Sequence, residues 1–186
     1  SDLDLVLLHD DPESGIGELY ARLGQRMNSW MSSQTSAGQL FDVDYRLRPI
    51  GDSGMLVNSL DAFRDYQLTR AWMWEHQALT RARFCAGDAE LGARFEALRV
   101  EILRQPRDLA KLREDVLTMR QRMLDAHATH REDIFDLKHD PGGLIDVEFI
   151  VQYLILGHAH AHARLCGNLG NIALLGIAAE LGLIPG

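Results

Sequence analysis

The sequence predicts an α+β protein: a small sheet at the N-terminal end, then an all-α helical bundle. Three observations carry this. Short apolar or alternating runs fill the first 58 residues, helical periodicity fills the remainder, and the change of character falls at Ser59. The expected division is therefore 1–58 and 59–186.

Residues 2–9, "DLDLVLLH", read as a buried strand that stops at the turn Asp10-Asp11-Pro12. Residues 17–34 read as a helix, with Leu19, Leu23, Met27, Trp30 and Met31 spaced along one apolar face. Residues 39–48, "QLFDVDYRLR", alternate. Phe41, Val43, Tyr45 and Leu47 are expected on one face, with Asp42, Asp44, Arg46 and Arg48 on the other, until Pro49 ends the strand. Ser59 is a natural N-cap for a helix starting at residue 60. Helices are expected over 60–84, 89–104, 108–127, 144–161 and 170–182, broken at Gly87-Asp88, at Pro106 and at the turn "HDPGG". Residues 134–138, "IFDLK", suit a short strand or an extended segment.

Composition narrows the function classes. The 186 residues are 46% hydrophobic and 25% charged, an ordinary globular balance. A formal charge of −8 argues against a broad nucleic-acid-binding surface, which needs clustered Lys and Arg. Asp146, Glu148 and Gln152 interrupt the most apolar segment, so no membrane span is expected. Cys85 and Cys166 lack metal-type spacing and read as free thiols of a reducing, cytoplasmic compartment.

The chemistry-bearing residues begin with Asp2 and Asp4. Positions i and i+2 of a strand share a face, so both carboxylates point the same way. Asp44 lies on a polar strand face too. If the two strands pair, three carboxylates converge and need neutralising. Two Mg²⁺ ions would do so, as in phosphoryl transfer, and Arg46 and Arg48 would hold phosphate oxygens. An Asp-x-Asp pair at a strand end is by itself more often merely solvated, and only the strand "FDVDYRLRP", with a carboxylate and two arginines on one face, brings the two readings level. Glu75, with Arg81 and Arg83 downstream, divides evenly between a packed, ion-paired helix and a wall beside a nucleotide site. Gly142 and Gly143, with Lys138 upstream, read either as a tight turn or as a close backbone approach to phosphate at a helix N-terminus. His158 and His162 are four apart on an expected helix, but no further ligand lies near in sequence, so they read as a surface histidine run.

The pattern "SDLDLV", a helix, then "DVDYRLRPIGDSGMLVNS" resembles the polymerase-β-like nucleotidyltransferase superfamily. More narrowly, "VDYRLRP", "WEHQALTRAR", "DLKHDPGGLIDVEFIVQYL" and "NLGNIALL" resemble the bifunctional glutamine synthetase adenylyltransferase/adenylyl-removing enzymes, over essentially the whole chain. That family holds two similar nucleotidyltransferase halves. One attaches AMP from ATP to a tyrosine of glutamine synthetase, and the other removes it by phosphorolysis. "AWMWEHQAL" and "GGLIDVEF" are similar to the adenylylating, C-terminal half. The removing half reads Trp-Glu-Arg in the first phrase, and an Arg-Glu pair where Asp146-Val147 stands here.

The resemblance implies several roles. Asp2 and Asp4 match the paired metal aspartates, Asp44 matches the third carboxylate, and Mg²⁺ and ATP are the expected cofactor and substrate. Ser1 matches the serine of a phosphate-contacting Gly-Ser turn, whose glycine would precede it, so the sheet is expected to be truncated at its N-terminal end. Lys138, Gly142 and Gly143 become nucleotide-binding candidates beside Arg46 and Arg48. Glutamine synthetase is the expected protein substrate and a nitrogen-sensing PII protein the expected regulator. The alternatives are the removing half, with phosphate as the attacking group, and a non-catalytic docking module for glutamine synthetase.

Overall fold

A computed structural model describes residues 2–13, 15–39, 41–49, 54–127 and 135–185. Among them are seven α-helices and two two-stranded sheets, an α+β content. The chain forms two compact units, residues 1–71 with 86–95, and residues 72–85 with 96–186. They do not divide at Ser59, because the first helix after it packs with the strands.

The first unit is built from parallel pairs. Strands β1 (Asp2–Asp4) and β2 (Leu7–His9) are followed by helix α1 (Ile16–Met31), then β3 (Asp42–Asp44) and β4 (Val57–Ser59). β1 pairs with β3 and β2 with β4, both parallel. Parallel neighbours require a crossover connection, and α1 supplies it. The expected strand over residues 2–9 is thus two short strands, separated at Leu5-Val6. The expected strand over 39–48 is regular only at Asp42–Asp44, and residues 46–49 are a turn.

Helix α1 packs differently from its apolar pattern. Leu19 and Trp30, on the face expected to be buried, are 61% and 69% exposed, and Leu23 and Met27 are exposed as well. The buried position is Gly24. A Cβ there would lie 3.0 Å from Leu7 Cδ1, 3.1 Å from Val57 Cγ2 and 3.2 Å from Leu56 Cδ2. The helix therefore meets the strand side chains at Gly24, where the absence of a Cβ leaves room for Leu7, Leu56 and Val57. Helix α2 (Leu60–Thr69) follows β4 directly, with Ser59 as its N-cap: the Ala62 N–H donates to Ser59 Oγ at 3.1 Å. Leu60, Phe63 and Tyr66 of α2 are buried, and Phe63 meets the ring of Phe95 at 6.3 Å.

The second unit holds helices and turns, without a strand among its described residues. Helix α3 (Met73–Leu79) is separate from α2, so the single helix expected over 60–84 is broken at residues 70–72. Helix α4 (Ala89–Leu103), whose first residues belong to the first unit, and helix α5 (Leu109–His127) are capped by aspartates. The Leu91 N–H donates to Asp88 Oδ1, and the Ala110 and Lys111 N–H groups donate to Asp108 Oδ1. Helix α6 (Leu144–His158) is the core element, with α3, α5 and α7 (Asn171–Glu180) packed on it. Its Val151, Leu154, Ile155 and Leu156 are buried. Since α6 ends at His158, His162 lies in the turn beyond it, where its N–H still donates to His158 O at 3.0 Å.

Arginines hold the ends of these helices. Arg99 is 3% exposed and donates from Nη2 to Cys166 O at 2.7 Å. Arg104 donates from Nε to Ala159 O at 3.2 Å. Arg107 donates to Ile102 O, Leu103 O and Leu156 O, and burial lowers its pKa to about 10. Helix-end carbonyls have no partner within their own helix, and guanidinium groups satisfy them here. Both cysteines, exposed Cys85 and buried Cys166, are free thiols. No helix among the described residues is long and apolar enough to cross a membrane.

Gly24→Val should force methyl groups into the contact between α1 and the strands. The expected cost is about 1–3 kcal/mol, the scale of overpacking. Faster hydrogen exchange in α1 and β4 would register it, and unchanged protection would show that the helix can lift off freely.

Candidate active site

Pairing register determines which carboxylates meet. Asp2 stands opposite Asp42, Leu3 opposite Val43, and Asp4 opposite Asp44. The Leu5 N–H donates to Asp44 O at 2.8 Å and extends the ladder past the strand ends. Cα partners in adjacent parallel strands send their side chains to the same face, ~4.8 Å apart across the sheet. Asp4 and Asp44 are therefore side by side. The side chain of Asp2, and all of Ser1, lie outside the described residues.

Asp44 is the more enclosed of the two. Its side chain is 13% exposed, while Asp4 is an exposed residue. Arg46 holds the Asp44 carboxylate from two directions. The Arg46 backbone N–H donates to Oδ1 at 2.8 Å and Nε donates to Oδ2 at 2.6 Å, while Nη2 ion-pairs with Oδ2. Hydrogen bonding from the Arg46 side chain holds the Asp44 pKa below the ordinary carboxylate value. Partial burial opposes that shift, and the Arg46 amide and the charges of Arg46 and Arg48 assist it. Asp44 is thus ionised at neutral pH.

The turn after β3 departs from strand alternation. Arg46 folds back on Asp44 rather than standing further along the same sheet face. Arg48 donates from Nη1 to Tyr45 O at 2.9 Å and from Nε to Gly54 O at 3.4 Å. Between them Tyr45 is buried, its hydroxyl has no hydrogen-bond partner among the described residues, and burial raises its pKa.

A second feature of the first unit lies at the C-terminal end of β2. His9 stacks on Tyr20 with ring centroids 4.9 Å apart, and Arg94 ion-pairs with Asp10. With Asp11, Asp88 and Glu90 they line an open cleft of about 610 Å³. Sequence reading finds the acidic turn but misses Tyr20 and Arg94, since only folding brings residue 94 to residue 10.

The donor chemistry fits a hard divalent cation. Asp4 and Asp44 offer carboxylate oxygens on one face, the ligand type that Mg²⁺ takes. Among the described residues, whose side chains do not include Asp2, no group of three or more His, Cys, Asp or Glu is placed to hold a metal.

The remaining candidates belong to the second unit. Gly143 is the N-cap of α6, and what approaches it closely is the chain itself: a Cβ there would lie 2.6 Å from Leu137 O and 2.9 Å from Asp140 O. The Leu144 and Ile145 N–H groups donate to Leu137 O and Lys138 O. Gly142 has φ +88 and donates its N–H to Asp146 Oδ2. Those first-turn amides are occupied by the 137–143 loop, and the geometry gives the paired glycines a loop-closing role. Lys138 is exposed on that loop. Asp146 also ion-pairs with Arg120, whose Nη2 donates to His139 O at 2.8 Å. Glu75 is 2% exposed and accepts from the Trp72 N–H, which caps α3. Arg81 donates to Leu169 O at 3.2 Å. Arg120 carries no signal in the sequence, because its partner lies 26 residues away.

A family model described as glutamate-ammonia ligase adenylyltransferase matches residues 1–98, just over half of the 186. The chain belongs to that family. Its relatives include a protein of Aromatoleum aromaticum, 65% identical over 185 residues, which cover 100% of this chain and 20% of the relative. A protein of Bordetella bronchiseptica is 58% identical over 185 residues, with the same coverage. One of Nitrosomonas europaea is 57% identical over 183 residues, covering 98% of this chain and 20% of the relative. Each is named a bifunctional glutamine synthetase adenylyltransferase/adenylyl-removing enzyme. The chain spans about a fifth of the length of these relatives.

Two outcomes test the loop. Gly143→Ala must displace backbone, and should lower stability by about 1–3 kcal/mol in a thermal melt. Asp146 has a pKa lowered chiefly by the Arg120 hydrogen bond, then by the Gly142 N–H. Its contribution is complete above the ordinary 3.8 and is lost as pH falls through the lowered folded value. Asp146→Asn should therefore cost about 1–3 kcal/mol at pH 7. Acid titration of both proteins should show that difference closing only below pH 3.8.

Proposed function

We propose that this chain carries the nucleotidyl-transfer site of an enzyme that moves AMP from ATP to a tyrosine of glutamine synthetase. The observation that carries the reading is the register of β1 on β3, which sets Asp4 beside Asp44 on one sheet face. Family membership and the relatives' printed names support the transferase class and glutamine synthetase as protein substrate. The parallel pairs joined by α1 support a polymerase-β-like nucleotidyltransferase sheet. The phrases "AWMWEHQAL" and "GGLIDVEF" support the adenylylating half over the removing half. A cytoplasmic setting and regulation by a PII protein extend the same reading.

In this reading the tyrosine oxygen attacks the α-phosphorus of ATP. A new P–O bond forms, the bond to the β-phosphate bridging oxygen breaks, and pyrophosphate leaves with that electron pair. Asp2, Asp4 and Asp44 would hold Mg²⁺, two ions in all, which when bound supplies charge neutralisation on the phosphates and acidifies the attacking hydroxyl. Asp44, ionised and largely enclosed, accepts the tyrosine proton. Arg46, Arg48 and Lys138 stand as the cations for developing phosphate charge, with Ser1 at the phosphate turn.

Asp44→Asn keeps the shape and removes the charge and most of the basicity. In the full-length protein, with Mg²⁺, labelled ATP and glutamine synthetase, the variant should lose transfer by orders of magnitude. It should retain measurable equilibrium ATP binding. Near-normal transfer would remove Asp44 from the chemistry, and label that only leaves a pre-adenylylated synthetase would assign the removing activity instead.

A further inference from the structure

Asp44 is the most enclosed described carboxylate of the site, and its carboxylate is held by a residue two positions along the chain. We propose that Arg46 is a latch on Asp44: its guanidinium occupies the carboxylate oxygen that a divalent cation would take, and cation and guanidinium exchange places there. The inference rests on the reading of Asp4 and Asp44 as metal ligands.

The geometry for exchange is local. Asp44 ends β3, so Arg46 stands on a turn rather than in the ladder. Both Nε and Nη2 converge on Oδ2, while Oδ1 is held by the Arg46 backbone N–H at 2.8 Å. The side-chain grip can therefore open while the backbone contact keeps the carboxylate oriented. The Arg46 side chain is 69% exposed against 13% for Asp44, so the guanidinium stands mostly in water while the carboxylate it holds does not. Asp4, the neighbour in register, offers the second oxygen donor on the face the guanidinium would vacate. With its cationic partner mostly in water, the pair is held less firmly than a fully buried one, which suits a competitor that must be displaced. Once displaced, the guanidinium remains beside the same face, where a triphosphate would present its oxygens. While it holds Asp44, Arg46 acts through that carboxylate; turned away, it is one of the cations set above for phosphate.

Mn²⁺ is the probe, with the full-length protein. Wild-type crystals grown without divalent metal and soaked in Mn²⁺ should show an anomalous peak beside Asp4 and Asp44, with Arg46 turned away from Oδ2. In solution, Arg46→Gln removes the competitor and should bind Mn²⁺ roughly three- to fivefold more tightly by calorimetry or EPR, where loss of a merely structural residue would weaken binding. Mn²⁺ on Asp44 with Arg46 still on Oδ2, or Arg46→Gln binding no tighter than wild type, overturns the latch and leaves the metal site standing. If Asp4→Asn and Asp44→Asn bind Mn²⁺ as wild type does, and no peak lies beside them, the metal site itself is wrong and the latch falls with it. The soaked wild-type crystal decides the matter even if Arg46→Gln fails to fold.

Discussion

Parallel pairing of β1 with β3 is the constraint from which the first unit derives. Two parallel strands cannot be joined by a tight turn, so the chain must leave the sheet, cross it and return. Helix α1 makes that crossing, and it can lie against β2 and β4 only because position 24 has no side chain. The same pairing places Asp4 against Asp44. A slip of one residue would send Asp44 to the opposite face of the sheet, and the two carboxylates would part. Fold and site thus depend on one register.

The second unit solves a different problem. Helix α6 is apolar nearly all round and sits centrally, and the carbonyls at its own C-terminal end, with that of Cys166, need partners from elsewhere. Three arginines from one stretch, Arg99, Arg104 and Arg107, reach those carbonyls. The N-terminal end of α6 is closed by its own loop through Gly143. Such contacts need the forked geometry of guanidinium, and lysine offers only a point charge in its place.

Much of the fold is legible in the sequence where local physics decides. Ser59 reads as an N-cap and is one, and "HDPGG" reads as a turn and is one. The helices lie near their expected positions because apolar period and breakers agree. Asp2, Asp4 and Asp44 read as sharing strand faces, and the register sets Asp4 against Asp44. What stays hidden is tertiary. Alternation runs unbroken through Arg46 and Leu47, so the end of β3 at Asp44 leaves no trace in the pattern. Leu19, Leu23, Met27 and Trp30 advertise a packing face, yet the strands take the glycine side, where the side chains of Leu7, Leu56 and Val57 fill the space a Cβ would need. Arg94 and Arg120 find their partners only across the fold.

That outward row on α1 has a bearing on how the polypeptide behaves in a tube. Four large apolar side chains, on one side of one helix, remain in contact with water in this 186-residue chain. Attraction between such surfaces strengthens on warming and in sulfate or phosphate salts, and fades in the cold. Preparations of the chain by itself would accordingly scatter more light at room temperature than on ice. Dilute, chilled, low-salt buffer is the condition that keeps its molecules apart.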